Sequence, residues 1–516
     1  MVKLKKNFYI FAKALLVLLV IWVSFRTINF FTSTAHVGDS GIFVNTGFHM
    51  FKGKALYRDA YDHKLPAIFL LNLLAFKIAG PCVNSIYAME RLFAMLIAIA
   101  FFLTLLKLFH GNFLIAIVFT LVLLRHFYTP LLFSSGNYTE EYASAFLLTG
   151  VFFSLYCTDS EGYKKTLLLI ASGLFLSLAV LTKEPFLFLV IPWTGYLFIN
   201  INADIKEKLR LGVIFVSAAI LPALLIAAYL TKADLLSYFA EVLSNNLSYS
   251  QHYSYKKFGL GVSQIYNIAV GMMVKHMLFI LSTDFFFLLG VIGSFSKKYN
   301  KEYRYAPLVL LIWFIFGTIG VNITITHFAH YYLQLVAPFT ALAASGAVFS
   351  ACTIKRYFHR FPAQLSTIAV IAIFAICLSV FDWPMVDQFY KRIKRPYKER
   401  APEECSLYIK NNSLSTDYIW SPSYNKYTYI ESERLSSTSY IYSLKHLFID
   451  TLKSKGTEKE EQVLNELKKN PPKFIVIGNI VTSEVYIPPT VDSWVKDNYR
   501  AKAKFRECLI LQRNYE

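Results

Sequence analysis

Residues 88–133 read AMERLFAMLIAIAFFLTLLKLFHGNFLIAIVFTLVLLRHFYTPLLF. Two apolar runs, 88–109 and 112–133, each reach the roughly 20 residues that span a hydrocarbon core, and the basic stretch Lys107–His110 lies between them. Further runs of this kind lie near residues 8–28, 141–157, 166–182, 185–200, 211–230, 276–295, 306–322, 331–351 and 364–382. That is about eleven transmembrane helices, and an α-helical polytopic membrane protein. Composition agrees, because 16% of the 516 residues are charged against about 25% in a soluble domain. Disorder is excluded by 55% hydrophobic and 17% aromatic residues.

The formal charge of +19 would suit a nucleic-acid binder. Its cations instead collect in short loops. The amino terminus, Lys107–His110, Lys164–Lys165, Lys206–Arg210, Lys297–Arg304 and Lys355–Arg360 fall on one side if the helices alternate. The Lys/Arg bias of short loops makes that side cytoplasmic, and no nucleic-acid partner is expected. The first run exceeds the 7–15 apolar residues of a signal peptide and ends in Ser24-Phe25-Arg26-Thr27, so an uncleaved helix with a cytoplasmic amino terminus is expected.

The outer face then receives residues 30–87, 134–140, Lys183–Glu184, 231–275, 323–330 and everything after 382. Pro66–Ala79 is too short to span and is read as a re-entrant or interfacial helix. Residues 1–382 form the membrane domain. Residues 383–516 are charged and punctuated, with helical patterns near 402–411 and 457–469 and strand-like runs at 417–420, 474–478 and 508–512. They read as a small extracytoplasmic α/β domain. Its two cysteines, Cys405 and Cys508, can form a disulfide only if their Cα atoms lie within about 7 Å, which spacing does not decide. No repeat and no zinc-ligand spacing is seen.

Ionisable residues near a bilayer are functional candidates by default, and the outer face concentrates them. Asp39 and Ser40 can cap a helix with Ile42, Phe43, Thr46, Met50 and Phe51 at helical spacing, lying in the interface plane. Asp62-His63-Lys64 closes the same loop, Glu140-Glu141 opens a span, Lys183-Glu184 joins two spans, and His327, His330, Tyr331 and Tyr332 border another. Each has a plainer reading. Asp39 can be only a cap, Glu140 and Glu141 can serve the helix dipole, and Lys64 and Lys183 can be snorkelling anchors. His330 and the tyrosines can belong to an aromatic belt. Tyr249–Lys257 reads as a solvated loop, with stacking on acceptor sugars as the alternative. Together, acids and cations facing one vestibule suit sugar transfer from a lipid phosphate. A carboxylate takes the proton of an attacking hydroxyl, and cations or neutral donors stabilise the departing phosphate.

At these residues the sequence resembles the membrane-embedded GT-C glycosyltransferases, in the group of protein O-mannosyltransferases and the lipid A aminoarabinose transferase. The matching stretches, in order, are Asp39-Ser40, Gly53-Lys54-Ala55-Leu56-Tyr57-Arg58-Asp59, Asp62-His63-Lys64-Leu65-Pro66, Asn137–Tyr142, Leu181-Thr182-Lys183, and His330-Tyr331-Tyr332-Leu333 with Pro338. Ser40 stands where that group has a second carboxylate, and Leu65 where it has the first proline of a Lys-Pro-Pro stretch.

The resemblance implies a GT-C-like fold and a multi-pass protein of the bacterial inner membrane. It implies an inverting transfer from a polyprenyl-phosphate sugar donor to a glycan, lipid or protein acceptor on the outer face. Asp39 is then the catalytic carboxylate, with Glu140 or Glu141 as its acidic partner; two adjacent helical residues point about 100° apart, so one of them faces the site. Lys64, Lys183, His63 and His330 hold the donor phosphate, and Asp62, Tyr57, Tyr331 and Tyr332 contact substrate. No cofactor is expected, a divalent metal is left open, and membrane lipid is a partner. The rival is a transporter or flippase for lipid-linked sugars. Transporters place charges at mid-membrane and show inverted repeats, whereas here the charges lie at one face.

Overall fold

The computed structural model describes residues 2–27, 38–129, 132–133, 136–257, 281–323, 328–357, 362–381, 387, 390, 391, 394, 402–422, 426–443, 456–478, 487–506 and 508–514. Its helices in chain order are α1 (Val2–Thr27), α2 (Gly38–Phe51), α3 (Pro66–Ala79), α4 (Val83–Leu108), α5 (Phe113–Phe127), α6 (Thr139–Thr158), α7 (Gly162–Thr182), α8 (Phe186–Asn200), α9 (Ile205–Lys232) and α10 (Leu236–Lys257). They continue with α11 (Leu281–Ser294), α12 (Lys297–Glu302), α13 (Ala306–Ile323), a 3-10 turn (Ala329–Tyr332), α14 (Leu333–Tyr357) and α15 (Ala363–Phe381).

Each of the eleven apolar runs carries a helix. Among the described residues, five are long and apolar enough to cross a membrane: α4, α7, α9, α13 and the segment Ala329–Tyr357. The run expected over 112–133 ends as a helix at Phe127, three residues before Pro130, because proline disfavours helix in the residue ahead of it. α10 occupies 236–257, where a loop was expected.

Helix pairs α6–α7, α7–α9, α4–α6 and α11–α14 pack along the bundle. Apolar residues cannot drive helices together in lipid, so close backbone approach and van der Waals packing must. Gly290 and Gly346 show how: a Cβ on Gly346 would lie 1.9 Å from the Phe286 carbonyl, and one on Gly290 would lie 2.1 Å from that of Leu342. α9 points Val213, Val216, Ile220, Leu224 and Leu225 outward, as a lipid-facing helix does.

The remaining elements lie beyond residue 400: α16 (Glu404–Asn411), β1 (Tyr418–Trp420), α17 (Thr428–Ser432), β2 (Leu435–Ser436), α18 (Gly456–Lys469), β3 (Phe474–Gly478), α19 (Pro489–Asn498), β4 (Tyr499–Lys504) and β5 (Cys508–Arg513). They build one sheet of order β2-β1-β3-β5-β4, parallel from β2 to β3 and antiparallel across β3, β5 and β4. Phe474, Ile475 and Val476 of the central strand are all buried, as in a strand covered on both faces. Cys405 and Cys508 are disulfide-bonded, with Cα atoms 6.6 Å apart, tying α16 to β5.

α2 is covered on both of its sides. Every residue from Ser40 to Met50 is buried, because α2 lies between α3 and the carboxy-terminal sheet domain. Its polar face is bonded to that domain. Asn45 donates to the Lys426 carbonyl (2.9 Å) and to the Tyr442 hydroxyl, and accepts from Ile430 N–H (3.2 Å). Ser436 N–H donates to His49 Nε2 at 2.9 Å, and Tyr442 donates to the Gly41 carbonyl at 3.0 Å. A further backbone bond runs from Tyr61 N–H to the Ser439 carbonyl at 2.8 Å.

Candidate functional site

The first turn of α2 brings Asp39 to the mouth of the bundle, where Asp39 Oδ2 lies 3.8 Å from His330 Nε2. His330 is fixed by aromatic contacts. Its ring stacks on Tyr138 at 4.6 Å with planes 6° apart, and Phe328 stacks within 5.8 Å. Tyr138 immediately precedes α6, so the stack sets the start of that helix against the 3-10 turn.

Two residues further along, Glu140 pairs with Lys183 Nζ at 3.0 Å, their side chains 1% and 8% exposed. Thr139 Oγ1 donates to the other Glu140 oxygen at 2.9 Å. Lys183 ends α7 in extended conformation, and its Nζ lies 4.5 Å from the Tyr331 ring centroid. Two desolvated charges hold each other strongly at this distance. Deleting one costs about 3–5 kcal/mol, because the other is left buried and uncompensated.

The segment 62–64 closes the site from the α2–α3 connection. Asp62 Oδ1 accepts Lys64 N–H at 2.8 Å and lies 3.8 Å from His63 Nδ1. Burial pushes the Asp62 carboxyl up to about 6, against the pull of Lys64. Asp39 acts on Asp62 in the same sense, as one carboxylate does on another within reach. His330 is the meeting point, interacting electrostatically with Glu140, Asp39, Lys183 and Lys64. Five separated chain segments thus bring Asp39, Asp62, Glu140, Lys64, Lys183 and His330 together.

Other candidates are placed elsewhere. Glu141 points away from Lys183, and its Oε1 accepts from Tyr128 at 2.8 Å. It shares a buried polar region with Glu90. Glu90 accepts Asn137 N–H, Tyr142 donates to Asn137 Oδ1 at 2.7 Å, and Asn137 donates to Asn72 Oδ1 at 3.0 Å. Tyr57 is buried, donates to the Lys64 carbonyl at 2.8 Å and packs on Phe239 and Phe69. Tyr332 packs against Val321 and Leu335. The His63 carbonyl accepts from Asn246 at 2.8 Å. His327, and the side chains over Tyr249–Lys257 for which stacking was the alternative reading, lie outside the described residues.

Sequence reasoning missed Tyr138 and Glu90. Glu90 did leave a signal, an acid inside the apolar run 88–109, which is a candidate by default. Ser40, in place of the second carboxylate, hydrogen-bonds Tyr427 at 3.1 Å. Among the described residues no three His, Cys, Asp or Glu side chains converge as metal ligands.

No family model and no curated protein matches the sequence. Solved structures do match. ArnT from Cupriavidus metallidurans bound to undecaprenyl phosphate superposes with a TM-score of 0.58 at 12% identity, covering 98% of this chain and 97% of that one. The archaeal oligosaccharyltransferase AglB from Archaeoglobus fulgidus, in complex with an inhibitory peptide and a dolichol-phosphate, gives 0.53 at 11% identity over 91% of this chain and 70% of that one. At such identities the likeness is one of fold, and the chain has the fold of the membrane-embedded GT-C glycosyltransferases.

Proposed function

We propose that this protein transfers a sugar from a polyprenyl-phosphate donor to an acceptor hydroxyl at the extracytoplasmic face of a bacterial inner membrane. The observation that carries the reading is Asp39 within 3.8 Å of His330, beside the buried Lys183–Glu140 pair and within the field of Lys64. The fold shared with a protein bound to undecaprenyl phosphate supports a lipid-phosphate donor.

In this reading the acceptor oxygen bonds to the anomeric carbon while the bond from that carbon to the phosphate oxygen breaks, with inversion. The phosphate leaves with the electron pair, and Asp39 takes the hydroxyl proton. His330 orients Asp39, and Lys64 and Lys183 meet the charge growing on the leaving phosphate. Glu140 holds Lys183 in place until the donor phosphate shares it. No metal is required by this scheme. A carrier for lipid-linked sugars is the rival, and it would use the same cations without needing a base.

Asp39→Asn separates the two, since asparagine keeps the size and polarity of aspartate in the first turn of α2 but cannot accept the proton. Purified protein in donor-containing liposomes should insert and bind donor normally, and lose about 10²–10⁴-fold in transfer rate. Near-native transfer by this variant would overturn the assignment of Asp39 as base.

A further inference from the structure

The opposite end of the bundle carries a second charged cluster. α6 begins beside Glu140 and runs 20 residues to Thr158, about 30 Å of helix. Just beyond it, Asp159 is shared by two cations from other loops. Arg304 Nη1 donates to Asp159 Oδ1 at 2.6 Å, and Lys107 Nζ donates to Oδ2. These three side chains border a cavity of about 440 Å³ that His110, Tyr156 and Tyr303 also line. His110 stacks on Tyr303 at 4.9 Å, and Lys107 Nζ lies 5.1 Å from the Tyr156 ring centroid.

A salt bridge that only ties loops together would be closed on itself, and this one is open. Arg304 is 61% and Asp159 38% exposed. A guanidinium carries five N–H donors and an ammonium three, whereas Asp159 takes one from each. Two permanent cations against one carboxylate leave an excess positive charge at the cavity. His110 and Arg304, which line it, both hold positive φ, at 52° and 49°. Non-glycine residues rarely adopt that conformation, and it costs of order 1 kcal/mol or more each. Leu106, Leu108 and Leu155 supply an apolar wall.

We propose that this cavity binds the phosphate of an anionic membrane-lipid headgroup. Lys107 and Arg304 contact the phosphate, the tyrosines face the polar glycerol region, and the leucines receive the start of the acyl chains. Asp159 is a built-in competitor that holds the two cations together when no lipid is bound. Cationic pockets at the ends of membrane helices recognise anionic lipids by this chemistry.

The test uses the full chain in nanodiscs of phosphatidylcholine containing a minor fraction of phosphatidylglycerol, with lipid retained by the detergent-extracted protein counted by native mass spectrometry. Wild type should retain phosphatidylglycerol in preference to phosphatidylcholine. Lys107→Met and Arg304→Gln should each lower that preference about fivefold. Asp159→Asn should raise it, a gain that unfolding cannot imitate. Inorganic phosphate at tens of millimolar, the arm for a soluble phosphate ligand, should displace little of the lipid. Equal retention of the two lipids, unchanged retention in Arg304→Gln, lowered retention in Asp159→Asn, or complete displacement by inorganic phosphate would each overturn the proposal.

Discussion

His49 makes the attachment of the carboxy-terminal domain to α2 sensitive to acid. Its Nε2 accepts the Ser436 N–H at 2.9 Å, so its single proton sits on Nδ1, which donates to the Asn45 carbonyl at 2.7 Å. A second proton would have to occupy Nε2, where it would face another N–H. Burial pulls the His49 pKa down to about 4, helped by Lys54 and opposed by the Asn45 bond. The docked value lies below the ordinary 6.5, so the undocked state binds the proton more tightly. Stability from this contact is therefore complete above pH 6.5 and is lost as pH falls from 6.5 through 4. About 2.5 pH units at about 1.4 kcal/mol each amount to about 3–4 kcal/mol, or about 300-fold in the docking equilibrium.

Amide hydrogen exchange of the full-length protein in nanodiscs reads this directly, because the Ser436 amide is itself the donor. Its protection factor should fall by about two orders of magnitude between pH 7 and pH 4. His49→Gln supplies a side-chain carbonyl for the same N–H and does not titrate, so its protection should stay nearly flat over that range. The same fall in His49→Gln as in wild type would show that some other group drives the opening.

Glu140→Gln should abolish transfer and lower stability by about 3–5 kcal/mol in chemical denaturation, since it strands buried Lys183. Glu141→Gln, which keeps an acceptor for Tyr128, should leave transfer near wild type in the same liposome assay. Gly136→Ala should fold poorly or lose several-fold in transfer, because its φ is +75° and a Cβ would meet Glu90 Oε1 at 2.6 Å; a smaller loss of thermal stability from Gly136→Ala in a Glu90→Ala background, which removes the carboxyl, would point to the contact rather than the backbone. Replacing Cys405 and Cys508 together by serine should cost about 2–5 kcal/mol in the carboxy-terminal domain, seen as faster proteolysis of that domain, and a free-thiol assay on unfolded wild type should count two fewer thiols than its six cysteines.

Legibility in the sequence tracked how local each interaction is. The apolar runs needed only length, so each appeared, and even their overreach had a local cause in Pro130. The choice between Glu140 and Glu141 turned on about 100° of helix rotation, and it required knowing that Lys183 ends a helix on one side of α6 and Tyr128 lies on the other. The burial of α2 was hidden for the same reason. Asn45 and His49 look like the wet face of an interfacial helix, yet their partners Lys426, Ile430, Ser436 and Tyr442 lie more than 380 residues away. Glu90 was visible as a charge in an apolar run, but its use, holding the Asn137 N–H, needed the fold.

The way α2 is held bears on how a carboxylate near a membrane surface can keep a fixed position. The Asn45 side chain has its amide directed at two acceptors and its carbonyl at one donor, all in the carboxy-terminal domain. Ser40, adjacent to Asp39, bonds Tyr427 of the same domain at 3.1 Å. On its other side α2 meets α3, where a Cβ on Gly47 would lie 2.8 Å from that of Asn72, so the two helices are in near contact. A first-turn side chain at the end of a helix clamped on both faces has little freedom beyond its own rotamers. Positioning of about half an ångström, which catalysis by a carboxylate demands, comes from such a supporting shell rather than from the acid itself. The sheet domain thus serves as the upper half of the clamp whose lower half is the membrane bundle, and the placement of Asp39 depends on both.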